Sequence, residues 1–243
     1  MKMKRISRPL IAAITATLVF VASHAWWQQR SVLHYLGAPP AEFAAQFAPP
    51  SAANSVETRA ELNELLAMQS TRTAGQVATA RADRKTEIER FYPALGIDVN
   101  HPPELPRLHQ LAERVEDDVR IYVRTVKDRF RRLRPYEIEP RLAPCINDVQ
   151  GDLSYPSGHA AFGYSMAYLL SMLVPERIQA LEDRANEFAR QRMMCGVHFR
   201  SDLEAGRLAA LRLLSDMNEV PGFRDDAALA GQELRAALGL PPL

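Results

Sequence analysis

Cysteine is scarce in this chain. Cys145 and Cys195 are the only two in 243 residues. They stand too far apart for a zinc knuckle, and no further Cys or nearby His completes a zinc pattern. A disulfide-dense scaffold is excluded as well, and no metal site is expected. Two readings stay open for the pair: one disulfide closing a loop of about 50 residues, or two buried free thiols. An excess of charge of either sign is also missing, because the formal net charge is +1. Lys2, Lys4, Arg5 and Arg8 supply four positive charges at the extreme N-terminus, so taking them away leaves about −3 for the remainder. A nucleic-acid binder needs a basic face, so a nucleic-acid polymer is not an expected partner. Any cationic site has to be local. No sustained period-two pattern and no internal repeat is found, which removes sheet architectures and solenoids.

Long apolar runs are confined to the start. Leu10 to Val21 (LIAAITATLVFV) follows the basic MKMKRISR segment, and Ser23-His24-Ala25 offers small residues at the −3 and −1 positions. Residues 1–25 thus read as a signal peptide cleaved after Ala25, with an uncleaved anchor as the alternative. A cleaved signal makes the protein periplasmic or secreted, with no membrane association afterwards. Ala160 to Val174 is apolar but short and contains Ser165 and Ser171, so it reads as a buried core helix.

Residues 26–57 form a Pro/Ala-rich extended arm, in which the Pro pairs at 39–40 and 49–50 work against a regular helix. Residues 58–243 form one all-α domain, a helical bundle around a buried central helix. Capping-box patterns are expected at Thr58/Glu61, Thr73/Gln76 and Ser201/Glu204. Leu108, Leu111, Val115, Val119, Tyr122, Val126, Phe130 and Leu133 mark the stripe of a long amphipathic helix whose end Pro135 limits. Ile178, Leu181, Ala185 and Phe188 mark the inner face of another helix.

Three segments carry chemistry. In the first, Lys127 and Arg134 are seven residues apart, which on one helix returns them to within about 20° of the same face. Two cations on one face grip a small anion, Arg through a planar fork and Lys as a point charge. Arg129, Arg131 and Arg132 alongside read as a solvated basic helix end. In the second, Tyr155-Pro156-Ser157-Gly158-His159 leads into the buried helix. The helix N-terminus favours an anion, Gly158 lets it approach the backbone, Ser157 adds a hydroxyl, and His159 is placed to exchange a proton beside it. In the third, Arg192 precedes Gly196, His198 and Asp202. Gly196 permits a sharp bend. Asp202, four residues beyond His198, would fix its tautomer and leave the other ring nitrogen as a nucleophile. Each segment alone also fits ordinary structure: a basic helix end, a helix cap, a surface His–Asp pair. The three in this order point to one phosphate-handling site.

The pattern K-x6-RP, then PSGH, then R-x5-H-x3-D is similar to the signature of the type-2 phosphatidic acid phosphatase superfamily, which also holds the vanadium haloperoxidases. The local text SYPSGH, Cys-Gly-x-His and SD-x-x-AG resembles the bacterial class A non-specific acid phosphatases. The resemblance covers about Lys127 to Gly206. It implies that Lys127, Arg134, Arg192, Ser157 and the Gly158 N–H bind phosphate. It further implies that His198 attacks phosphorus, that His159 protonates the leaving alcohol, and that Asp202 orients His198. It implies no cofactor, small-molecule phosphomonoesters as substrates with relaxed specificity, and a homo-oligomer. Gln191 stands where the family usually carries Ser. A haloperoxidase, a lipid phosphate phosphatase and an exported non-catalytic phosphate binder are the rival readings.

Overall fold

The computed structural model describes residues 32–146 and 153–243. The expected signal peptide and the first residues of the arm lie outside the described residues. Leu33–Leu243 form one unit, and its described residues hold helices and short 3-10 turns with no strand.

Ordinary local rules account for most helix starts. Helix α1 (Ala41–Ala45) begins after Pro40. Ser55 caps α2 (Val56–Thr71), accepting the Thr58 N–H. Thr73 caps α3 (Ala74–Ala82), with the reciprocal Gln76 contact in place. After α4 (Tyr92–Leu95) comes α5 (Pro106–Phe130), with Pro106 at its first position. Its orphan N–H groups at Arg107 and Leu108 donate to the Glu233 carboxylate. The short α6 (Pro135–Ile138) precedes α7 (Gly158–Leu173). The bundle closes with α8 (Ile178–Met194), α9 (Arg200–Asn218) and α10 (Pro221–Ala237).

Helix α7 is apolar around its circumference, so it can only sit inside. It packs against α8, α9, α5 and α10. Two glycines set the closest approaches. A Cβ at Gly163 would meet the Phe188 ring at 3.0 Å. One at Gly206 would stand 2.7 Å from the Ser157 carbonyl oxygen and 2.9 Å from the Ala160 Cβ. Gly206 therefore lets α9 lie directly on the first turn of α7.

Several expectations are corrected. The arm does hold a helix, α1, because the stretch between its two Pro pairs is long enough for one turn, and Phe43 and Phe47 bury against the core. Asp118, fully buried on α5, accepts the backbone N–H groups of His34, Tyr35 and Leu36, which binds the arm to the domain. Helix α2 starts two residues before Thr58, with Ser55 as its cap, and Thr58 is buried rather than capping. Helix α9 starts at Arg200, and Asp202, not Ser201, satisfies its orphan donor at Phe199. Helix α5 stops at Phe130 because Arg131 turns left-handed at φ 49°. Leu133 and Ile178, expected on inner faces, are exposed.

Candidate active site

Helix α8 ends in a Schellman turn. The Gly196 N–H donates to the Met193 carbonyl (2.8 Å) and the Val197 N–H to the Arg192 carbonyl (3.0 Å). Gly196 has φ +70°, the left-handed region where a side chain is strained. This turn reverses the chain and delivers His198 beneath the first turn of α9. A disulfide between Cys145 and Cys195, with Cα atoms 4.8 Å apart, pins the turn from the other side.

The His198 ring is buried, and each nitrogen has a partner. Nδ1 lies 3.2 Å from Asp202 Oδ2, and Nε2 lies 2.6 Å from Arg134 Nη1. A guanidinium only donates, so Nε2 must accept and the proton sits on Nδ1, facing the carboxylate. This tautomer leaves the Nε2 lone pair directed at a cation. Asp202, fully buried, also accepts from the Ser154 hydroxyl (2.5 Å) and the Phe199 N–H (2.9 Å). One carboxylate thus caps α9 and orients the imidazole.

Lys127 and Arg134 reach this region by different routes. The left-handed turn at Arg131 means that they do not share a helix face. The Ser154 N–H donates to the Arg132 carbonyl (2.8 Å), which ties the basic segment to the chain approaching α7. The Lys127 ammonium donates to the Leu153 carbonyl, one residue before Ser154. Arg134 also donates to the Val197 carbonyl (2.7 Å). Arg192, buried on the last turn of α8, is joined to Val197 through its own carbonyl.

At the start of α7, Ser157 is the N-cap, its oxygen accepting from the Ala160 N–H (3.3 Å). Its own N–H donates to the Asp202 carbonyl (2.9 Å), so the Pro-Ser-Gly-His segment and the His198 segment are joined directly. A Cβ on Gly158 would meet nothing within 4 Å, so its backbone is approachable. The His159 Nε2 donates to the Arg84 carbonyl (2.9 Å), and its ring stacks on Phe188 with centroids 6.1 Å apart. Burial, followed by the Asp202 charge, pushes the Tyr155 phenol up from its usual range, and its hydroxyl donates to the Ala48 carbonyl.

Three residues of this cluster were not anticipated. Ser154 bonds Asp202, and Arg132 donates to Asp202 Oδ1 at 2.7 Å. Glu61 in turn accepts from Arg132 at 2.9 Å. By sequence Arg132 reads as part of a solvated basic end and Glu61 as a capping residue; the fold joins Arg132 to Asp202 across 70 residues and Glu61 to Arg132 across 71.

These features define a helical protein with a buried His–Asp pair, in which the second ring nitrogen of His198 faces the Arg134 guanidinium and the segment is bonded to the N-terminus of a buried helix. Residues 119–215 match the model of the PAP2 superfamily. A non-specific acid phosphatase of Providencia stuartii is 30% identical over 178 residues, covering 71% of this chain and 67% of that protein. A non-specific acid phosphatase of Salmonella typhi is 31% identical over 149 residues, 59% of each chain. An acid phosphatase of Zymomonas mobilis is 31% identical over 146 residues, 59% of this chain and 54% of that one. The chain therefore spans between about half and two thirds of the length of these relatives. The crystal structure of the first transmembrane PAP2 type phosphatidylglycerolphosphate phosphatase from Bacillus subtilis aligns at 18% identity with a TM-score of 0.48, over 75% of this chain and 90% of that one. The chain belongs to the PAP2 superfamily, among its acid phosphatases. No helix among the described residues is long and apolar enough to cross a membrane.

Proposed function

We propose that this chain hydrolyses small phosphomonoesters in two steps through a phosphohistidine on His198, without a metal, after export to the periplasm or beyond. The observation that carries this reading is the pairing of the His198 ring, with Nδ1–H held by Asp202 and Nε2 accepting from Arg134.

An incoming phosphate group offers Arg134 a better acceptor than imidazole. As the guanidinium turns to phosphate oxygens, the Nε2 lone pair becomes available for attack. Nε2 forms a bond to phosphorus while the bond to the ester oxygen breaks. His159 supplies the proton that the leaving alcohol needs. Water then attacks phosphorus, its proton goes to His159, and the N–P bond breaks to release phosphate. Lys127, Arg134, Arg192, the Ser157 hydroxyl and the Gly158 N–H spread the charge that develops on the equatorial oxygens, the main lever in phosphoryl transfer. His159 has to begin protonated, so rate should peak at acid pH. Export is supported by the N-terminal sequence pattern and by the Cys145–Cys195 disulfide, a bond that persists in oxidising compartments. Broad specificity and self-association rest on the family likeness.

The test is hydrolysis of a panel of phosphomonoesters from acid to neutral pH, with excess chelator throughout. Turnover that persists and peaks at acid pH is expected. Turnover abolished by chelation would contradict the metal-free route, and tight phosphate binding with no turnover would favour a phosphate-binding protein.

A further inference from the structure

Behind Asp202 lies a chain of buried charges that the family motifs do not include. We propose that Glu61 and Arg132 are positioning residues for the nucleophile, a reading that rests on the phosphohistidine route above. The Arg132 guanidinium donates through Nη1 to Asp202 Oδ1 and to Ser201 Oγ, each at 2.7 Å, and through Nη2 to Glu61 Oε2 at 2.9 Å. Its face lies 3.8 Å from the centre of the Phe199 ring. Glu61 accepts the Ser201 N–H at 2.7 Å and the Ser201 hydroxyl at 3.1 Å. The Arg132 and Glu61 side chains are 5% and 12% exposed, so water screens this chain little.

The electrostatic reason for two residues rather than one lies in the charge count. Asp202 assists attack because its negative charge stabilises the imidazolium that forms when Nε2 bonds to phosphorus. Arg132 alone would cancel that charge. Glu61 opposes Arg132 in turn, so the ring faces a net negative chain on its Nδ1 side, opposite Arg134 on its Nε2 side. When the N–P bond forms, the order becomes imidazolium, Asp202, Arg132, Glu61, with strictly alternating sign. Losing Glu61 leaves Arg132 paired with Asp202 alone, so the carboxylate's charge toward the ring is neutralised. It also frees the Ser201 N–H, which helps to hold the first turn of α9 in register with His198. The phosphate oxygens are gripped on the other side of the ring, so their binding should change little.

The decisive experiment is Glu61→Gln in the full chain, with steady-state kinetics and the rate of the pre-steady-state phosphoenzyme burst. The expected result is kcat and burst rate lower by about 10-fold, a scale typical of removing a group behind a site residue, with KM within about twofold. Glu64→Gln, on α2 like Glu61 but paired with the exposed Arg200 at the start of α9, should leave both unchanged. An unaltered burst rate in Glu61→Gln overturns the proposal, even if the melting temperature falls, because Glu61 would then be only a structural clip. If Glu61→Gln does not fold, Glu61→Asp carries the test: it keeps the charge on a shorter arm, and a loss confined to kcat supports the proposal while a loss confined to KM overturns it. A wild-type protein with turnover but no burst and no phosphohistidine contradicts the underlying route itself, an outcome separate from the behaviour of Glu61.

Discussion

Gly206→Ala should damage both stability and turnover, although alanine is the better helix former. In an exposed helix interior the exchange would stabilise by about 1 kcal/mol. At Gly206 the new Cβ would stand 2.7 Å from the Ser157 carbonyl oxygen, 2.9 Å from the Ala160 Cβ and 3.0 Å from the Ala161 nitrogen. Ordinary contact begins near 3.4 Å, so α9 and the first turn of α7 have to separate by roughly 0.7 Å. Two of the three obstructing atoms are backbone, which cannot swing aside. Overpacking of this kind costs about 1–3 kcal/mol, enough to outweigh the propensity gain. The separation falls where the Ser157 N–H donates to the Asp202 carbonyl, one helical turn from Gly206. Displacement of about 1 Å in a catalytic group can lower rate by about 100-fold, so a loss of roughly 10-fold or more in kcat is expected here. Chemical denaturation and steady-state kinetics measure the two effects. Gly75→Ala, whose Cβ would meet nothing nearer than 3.9 Å, serves as the control that should gain stability and keep activity. A Gly206→Ala protein as stable and as active as the parent would refute the close-packing reasoning.

Asp202→Asn should lower kcat by about 10²–10⁴-fold with a small change in KM, because the amide no longer stabilises the imidazolium, and steady-state kinetics will show whether KM moves instead. Cys145→Ser removes a crosslink spanning 50 residues, and loop entropy sets the loss at about 4 kcal/mol, measurable as a lower denaturation midpoint that reductant reproduces in the parent. Burial, aided by the charges of Glu89 and Glu233, pushes the Tyr92 phenol up to about 12 from its usual value of 10. The folded state thus holds its proton more tightly, so stability is fully present below about pH 10 and falls as pH rises toward 12. Denaturation midpoints should decline across that window, and less steeply in Tyr92→Phe; a flat profile to pH 12 would contradict it.

Much of the site was legible because its logic is local. His198 and Asp202 sit one helical turn apart, Gly196 stands where a left-handed residue is needed, and Ser157 caps the helix that its own sequence marks as buried. The seven-residue spacing puts Lys127 and Arg134 on one helical face, an expectation the structure corrects, since the helix breaks at Arg131. Nothing in the local sequence signals that break, because Arg at a left-handed position is unusual. Glu61 and Arg132 were illegible for a different reason. Their partners lie 70 and 71 residues away, and a Glu three positions after Thr58 already had a plausible capping role. The arm shows the same limit: Pro pairs announce interruptions but not that Phe43 and Phe47 find the core between them.

Rapid quenching under alkaline conditions, which preserve phosphohistidine, followed by mass spectrometry of the digested protein, tests the central claim most directly. During turnover of a phosphomonoester, phosphate should appear on His198 and vanish from His198→Ala along with activity. Full turnover with an unmodified His198, or phosphate carried by a different residue, would contradict it.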